Sequence, residues 1–217
     1  MTTSTLTQPT VNTLSLTAVP ITHPTIRRTY KDPRDRVALH HAVMSLFPRD
    51  LPGPTNQRRR ASNILFRLDT PPADTPRLLV QSTIPLAGTT ELPTRDLTPL
   101  MAALTTGSHI RFRVVLNPVK ATGKDRRWKR TPIVNTLDDP DAITRFGLIQ
   151  LARAGLTSIT LTDLPRTDLV RAKTPLWTAQ YDGHALVADP DQLQGAIRAG
   201  IGRSKAYGCG LLSIAIV

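Results

Sequence analysis

The sequence predicts an α+β protein of two tandem units, each running β-α-β-β-α-β. Three observations predict it. The order of strand-like and helix-like segments in the first half recurs in the second, with no residue-level repeat beneath it. Asp-Pro pairs at 32–33, 139–140 and 189–190 precede helical patterns, where Asp can cap and Pro can fill the first turn. Residues 110–116 alternate, with Ile110, Phe112, Val114 and Leu116 on one side and Arg111 and Arg113 on the other. A chain of 217 residues can bury a core in each unit.

Residues 1–11, rich in Thr and Ser, are expected to form a flexible tail. The first unit is expected over 12–120 and the second over 121–217. In the first, 14–21 alternates as a strand. Asp32-Pro33 opens a helix that Pro48 closes, with Leu39, Val43 and Leu46 on its buried face. His40 falls at the border of that face, and His41 lies about 100° further round, in solvent. A Pro- and Arg-rich loop carries Arg58, Arg59 and Arg60. Strands at 63–68 and 77–83, a short helix at 96–104 and the strand at 110–116 complete the unit.

The second unit begins with a basic loop or hairpin at 117–130 that leads into 131–135. Asp139-Pro140 opens a helix with Ile143, Phe146, Ile149 and Leu151 turned inward and Gly155 at its end. Strands at 156–162 and 177–187 flank a basic linker with Arg166, Arg171 and Lys173. Asp189-Pro190 opens the last helix, which runs to Gly200. A glycine-rich loop at 200–210 and a strand at 211–217 follow.

The net charge is +12, and the isoelectric point near 11.0 points to a polyanionic partner, nucleic acid before a membrane surface. The charge is concentrated. Residues 111–130 hold Arg111, Arg113, Lys120, Lys124, Arg126, Arg127, Lys129 and Arg130 against Asp125 alone. Aromatic residues make up 4%, too few for base-stacking on an open sheet, so a folded or duplex RNA gripped through its phosphates fits better. No apolar run is long enough to span a bilayer, and no signal peptide is legible. One cysteine, Cys209, excludes an internal disulfide and agrees with a cytoplasmic setting.

The densest signal is Gly200-Ile201-Gly202-Arg203-Ser204-Lys205-Ala206-Tyr207-Gly208-Cys209-Gly210-Leu211-Leu212. Glycines let a backbone approach a ligand, and Arg203, Ser204 and Lys205 among Gly200, Gly202 and Gly208 suit an anion. A dinucleotide fingerprint would need glycine where Lys205 stands, and a P-loop would open a helix rather than follow one. Far upstream lies Leu39-His40-His41-Ala42-Val43-Met44-Ser45-Leu46-Phe47-Pro48. The pair of motifs, in this order, resembles the CRISPR repeat-processing endoribonucleases of type I-E systems, the CasE type. The resemblance extends over most of 12–217. It implies two ferredoxin-like (RRM-like) domains, cleavage of a CRISPR repeat RNA hairpin at its base, and assembly with other Cas subunits in a surveillance complex.

The five histidines show no metal-ligand spacing, and no nucleophile elbow is present, so neither a metal nor a cofactor is expected. What remains suits metal-independent RNA cleavage. The resemblance makes His40 the proton-transfer residue and sets Lys205 on the scissile phosphate. Where the resembled family often has tyrosine, one turn before the histidine, this chain has Val37. Tyr207 and Tyr30 are both candidates for that hydroxyl. Arg58–Arg60 and the 111–130 cluster form the expected grip on the RNA stem. Two other readings stay open: a non-catalytic RNA-binding module of the same fold, and a general RNA-associated protein.

Overall fold

The computed structural model describes residues 13–71, 74–88, 91–122 and 129–217. The predicted tail, Arg126 and Arg127 lie outside the described residues. Two antiparallel sheets organise the chain. The first holds β1 (Ser15–Pro20), β2 (Leu65–Asp69), β3 (Arg77–Ser82) and β4 (Thr94–Asp96), in the order β2-β3-β1-β4. Between β1 and β2 come α1 (Pro24–Thr29), α2 (Arg36–Met44) and α3 (Arg58–Ala61). After β4 a short helix, α4 (Thr98–Ala102), leads to β5 (His109–Leu116). A hairpin of β6 (Val119–Thr122) and β7 (Lys129–Pro132) follows, then α5 (Ala142–Ala152) and β8 (Leu156–Leu161). Next come β9 (Arg166–Arg171), β10 (Pro175–Val187), α6 (Pro190–Ala199) and β11 (Ser213–Ile216). The second sheet runs β11-β5-β10-β8, with β9 paired to one end of β10.

Numbered within its own unit, each sheet reads 4-1-3-2, the order of a split βαβ unit. The α+β class with tandem ferredoxin-like units is thus the architecture of this protein. One division needs correcting. Strand β5, read from sequence as the last strand of the first unit, pairs with β10 and β11. Sheet membership therefore changes between β4 and β5, not at residue 120. The true fourth strand, β4, has three exposed residues and no apolar face, so periodicity could not reveal it. No helix lies between β3 and β4 among the described residues; Pro85, Gly88 and Pro93 crowd that segment.

Capping also departs from expectation. Asp35, not Asp32, caps α2: its Oδ1 accepts from the amides of Val37 (3.0 Å) and Ala38 (2.9 Å). Asp32 turns back to the amide of Arg34 at 2.8 Å. Asp139 does not cap α5; Asn135 Oδ1 receives the Ile143 amide at 2.9 Å instead. Asp189 caps α6 as expected, accepting from Gln192 at 2.9 Å.

Two cores result. Leu39, Ala42 and Val43 of α2 pack with Ile64, Phe66, Leu78 and Val80 under the first sheet. Phe112, Val114 and Leu116 of β5 pack with Leu151, Tyr181, Leu193 and Ile197 under the second. Arg67 of β2 joins them. Its side chain is 3% exposed and is bidentate to Asp69, at 2.6 and 3.1 Å. Its Nη1 also donates to the carbonyls of Arg113 and Leu211 and to Ser213 Oγ, at 3.1, 3.3 and 3.1 Å. Gln81 Nε2 makes a second tie, to the Ile197 carbonyl at 2.9 Å.

Removing one member of a buried ion pair leaves the other charged and unpartnered. Arg67→Ala should lower the unfolding free energy by about 3 kcal/mol or more, measured by urea denaturation. A loss below about 1 kcal/mol would show that water readily replaces the guanidinium.

Candidate active site

Helix α2 buries Leu39, Ala42 and Val43, and this sets the direction of His40. The imidazole sits at the edge of the buried face, stacked on Phe66 with centroids 6.5 Å apart and planes at 28°. The His41 ring lies 5.6 Å away and points into solvent. His40 Nδ1 is buried and, among the described residues, has no hydrogen-bond partner. Burial holds the imidazole below its ordinary pKa, and the nearby charges of His41 and Arg59 push it the same way. His40 is therefore held neutral and unpartnered, a state in which it can take a proton.

The glycine-rich loop closes on itself beside α2. Gly200 ends α6 with φ +71°. The Ile201 amide donates to the Gly210 carbonyl at 3.0 Å, and the Gly210 amide donates to Val115 of β5 at 2.7 Å. The two arms cross so closely that a Cβ on Gly210 would stand 2.5 Å from the Ile201 carbonyl oxygen. Between the arms, Ser204 adopts φ +60°. Asn117 Nδ2 donates to its hydroxyl at 2.8 Å. A 3-10 turn, Lys205–Tyr207, follows and packs against α2. The loop is thus a pinned platform, not a floppy connection.

Cations line both sides of this platform. On one side Arg59, Arg60, Asn63, Arg198 and Lys205 surround a cavity of about 340 Å³. On the other, Lys120, Arg130, Arg153, Gly202 and Arg203 line one of about 590 Å³. Among the described residues neither cavity has an acid in its wall. Burial, then Arg59 and Arg60, holds the Lys205 amine below its ordinary value. Burial and Arg60 do the same to Arg59, whose Nη1 donates to the Ile64 carbonyl at 2.7 Å. Arg58 is turned aside, donating to the Arg49 carbonyl at 3.1 Å.

The residues expected from sequence therefore divide. His40, Arg59, Arg60, Lys205, Gly208 and Tyr207 gather around α2 and the loop, and Lys120, Arg130, Gly202, Arg203 and Ser204 lie just beyond. Arg111 and Arg113 do not join them. They line a larger cavity, about 720 Å³, on the second sheet, where Asp163 and Asp182 also stand. Arg113 is already paired with Asp182 at 2.5 Å. Of the two candidate tyrosines, Tyr30 is committed, its hydroxyl donating to the Pro33 carbonyl at 2.7 Å. Tyr207 packs beside Val170, Leu176 and Cys209. Cys209 is buried, and burial pushes its thiol up to about 12, so it is inert.

Sequence reading missed Arg153, Arg198 and Asn117. Each lies at the end of a regular element, Arg198 in the last turn of α6 and Arg153 just past α5. Their charge at helix C-termini reads as ordinary dipole complement, which hides the shared cavities. Among the described residues no three His, Cys, Asp or Glu side chains converge as a metal site would require, and no helix is long and apolar enough to cross a membrane.

The crossing at Gly210 gives a direct test of loop rigidity. With φ +86° and a backbone oxygen in the way, Gly210→Ala should cost about 1–3 kcal/mol or displace the loop. Thermal melting reads the cost; an unchanged melting temperature would mean that the arms separate freely.

The profile of the family described as CRISPR associated protein matches residues 14–215. No curated protein matches the chain. Among solved structures, Thermus thermophilus Cse3 bound to an RNA representing a pre-cleavage complex is 22% identical, with a TM-score of 0.71 over 94% of this chain and 99% of that one. Cas6e from Escherichia coli K-12 is 21% identical, with a TM-score of 0.62 over 94% and 100% of the two chains. A chain of a CRISPR RNA-guided surveillance complex reaches 29% identity and a TM-score of 0.64, over 94% and 100%. Since the profile spans nearly the whole chain and takes in both α2 and the glycine-rich loop, this protein belongs to the CRISPR associated protein family.

Proposed function

We propose that this protein is a metal-independent endoribonuclease. It cuts CRISPR precursor RNA at the base of each repeat hairpin and stays on the product as a subunit of a surveillance complex with other Cas proteins. One observation carries the reading: a histidine with a buried, unpartnered Nδ1 sits beside a pinned glycine-rich loop flanked by two cavities whose charged lining residues, among the described residues, are all cations. Similarity to a surveillance-complex chain supports the assembly, and the RNA-bound Cse3 structure supports the substrate class.

The chemistry needs two proton transfers and charge stabilisation. The ribose 2′-oxygen attacks the adjacent phosphorus as the bond to the 5′-oxygen breaks. The 2′-hydroxyl proton must leave, and the departing 5′-oxygen must gain one. His40 serves this transfer. Lys205 and the loop amides face the phosphate, where negative charge accumulates. Arg59 and Arg60 hold the flanking strand on one side of the loop, and Lys120, Arg130 and Arg203 hold the stem on the other. With the Tyr30 hydroxyl committed to Pro33, Tyr207 remains the candidate to add a hydroxyl.

The test is single-turnover cleavage of a labelled repeat hairpin in excess chelator, wild type against His40→Ala. Wild type should cut, and His40→Ala should bind alike but cut about 100-fold slower or worse. Equal cutting by both proteins would remove His40 from the mechanism. One observation favours a second reading, a module that binds without cutting: Val37 cannot supply a hydroxyl. Tight binding with no cutting by wild type would establish that reading.

The pH profile has a defined sign. A histidine held below its ordinary value stays neutral to lower pH, so the acid limb of kcat/KM should lie below about 6.5. A limb above that value would mean that His40 is not the titrating base. Hairpin affinity should fall steeply with salt, with a log–log slope of about −4 or steeper for five or more phosphate contacts. A slope near −1 would argue against the cation-lined cavities as the RNA surface.

A further inference from the structure

We propose that Arg36 is a further catalytic residue: its guanidinium binds a non-bridging oxygen of the scissile phosphate and holds the charge that develops there. The proposal rests on the ribonuclease reading above. Arg36 opens α2, four residues before His40, so both side chains leave the helix on one face. Its Nη1 lies 3.8 Å from where a Cβ on Gly208 would stand, and the Phe66 ring lies 3.4 Å from the same point. Phe66 also carries the His40 ring. Arg36, Phe66 and Gly208 therefore meet around one spot, where the absence of a side chain on Gly208 leaves room, and Phe66 links that spot to the His40 ring.

Among the described residues no acid or hydrogen-bond acceptor engages this cation, though its charge is felt by Tyr30 and Cys209. Among the described residues Arg36 makes no ion pair and no hydrogen bond, and its Nε is buried without a partner. Buried guanidinium N–H groups are almost always bonded, so this one is waiting for an acceptor. The nearest acids in sequence are spoken for: Asp35 caps α2, and Asp32 pairs with Arg171. A guanidinium matches the paired oxygens of a phosphate.

The division of labour follows from chemistry. Arginine stays protonated in proteins, so Arg36 is no proton carrier. As the 2′-oxygen–phosphorus bond forms and the bond to the 5′-oxygen breaks, one proton leaves the 2′-hydroxyl and one reaches the 5′-oxygen, with His40 serving the transfer. Arg36 gains and loses none. It supplies hydrogen bonds and charge from the position preceding Val37, which can supply neither.

Single-turnover cleavage by wild type, Arg36→Ala and Arg36→Lys tests this. Affinity is measured on a hairpin with 2′-deoxyribose at the cut. Arg36→Ala should cut about 100-fold slower or worse, with affinity within about threefold of wild type. Added guanidinium ion should restore part of that rate, and Arg36→Lys should fall between. A wild-type rate in Arg36→Ala overturns the proposal. A rate loss that merely follows lost affinity overturns it too, as does one that neither Lys nor guanidinium relieves, because those mark a residue that holds only RNA or fold. If wild type binds but does not cut, the ribonuclease reading fails and the proposal falls with it. If wild type and Arg36→Ala cut alike, only the proposal falls.

Discussion

A charged side chain buried between two sheets constrains everything attached to it. Arg67 cannot lose a partner without leaving a buried charge unpaired, so its acceptors hold fixed positions. Those acceptors come from three places: Asp69 on its own strand, Arg113 on β5, and Leu211 and Ser213 beyond the glycine-rich loop. Its chain neighbour is Phe66, on which the His40 ring rests. One guanidinium thus ties the support of the histidine to the end of the loop that carries Lys205. The two halves of the site come from different units and still keep a common register.

The site itself is electrostatically uncomfortable. Arg59, Arg60, Arg198 and Lys205 share one cavity with no acid in its wall among the described residues, and burial and mutual repulsion depress Lys205 and Arg59 together. Proteins usually offset such crowding with carboxylates. The acids near this site are instead used structurally, Asp35 as a helix cap and Asp32 against Arg171. A polyanion brought into the cavity relieves the repulsion and supplies the missing acceptors at once. Binding and local stability are therefore linked.

Much of this was legible in the residues. The alternation of β5, the Asp-Pro start of α6 and the spacing of Leu39, Val43 and Leu46 announced elements that exist. His40 stood at the border of its helix face, and there it lies. What stayed hidden had physical causes. β4 is too short to show a period. The Asp-Pro pair pointed to Asp32 as the cap, and only the chain path selects Asp35. The basic run around 111–130 looked continuous, but alternation sends Arg111 and Arg113 to the open sheet face while Lys120 and Arg130 turn toward the loop. Convergence of Arg198 and Arg153 on the loop is a tertiary fact, without any local pattern.

The place of β5 also decides how this chain could be divided. The division expected from sequence, at residue 120, would cut in the β6–β7 hairpin, but the strand just before it is central to the second sheet. A carboxy-terminal piece made that way would lack the partner of both β10 and β11 and expose two raw sheet edges, an invitation to aggregation. A cut between α4 and β5 keeps both sheets whole. Even then the amino-terminal piece would carry Arg67 without its distant acceptors, so the pieces would have reason to find each other again. That makes the α4–β5 connection the natural point for a two-part version of this protein whose reassembly could be switched on by a fused partner.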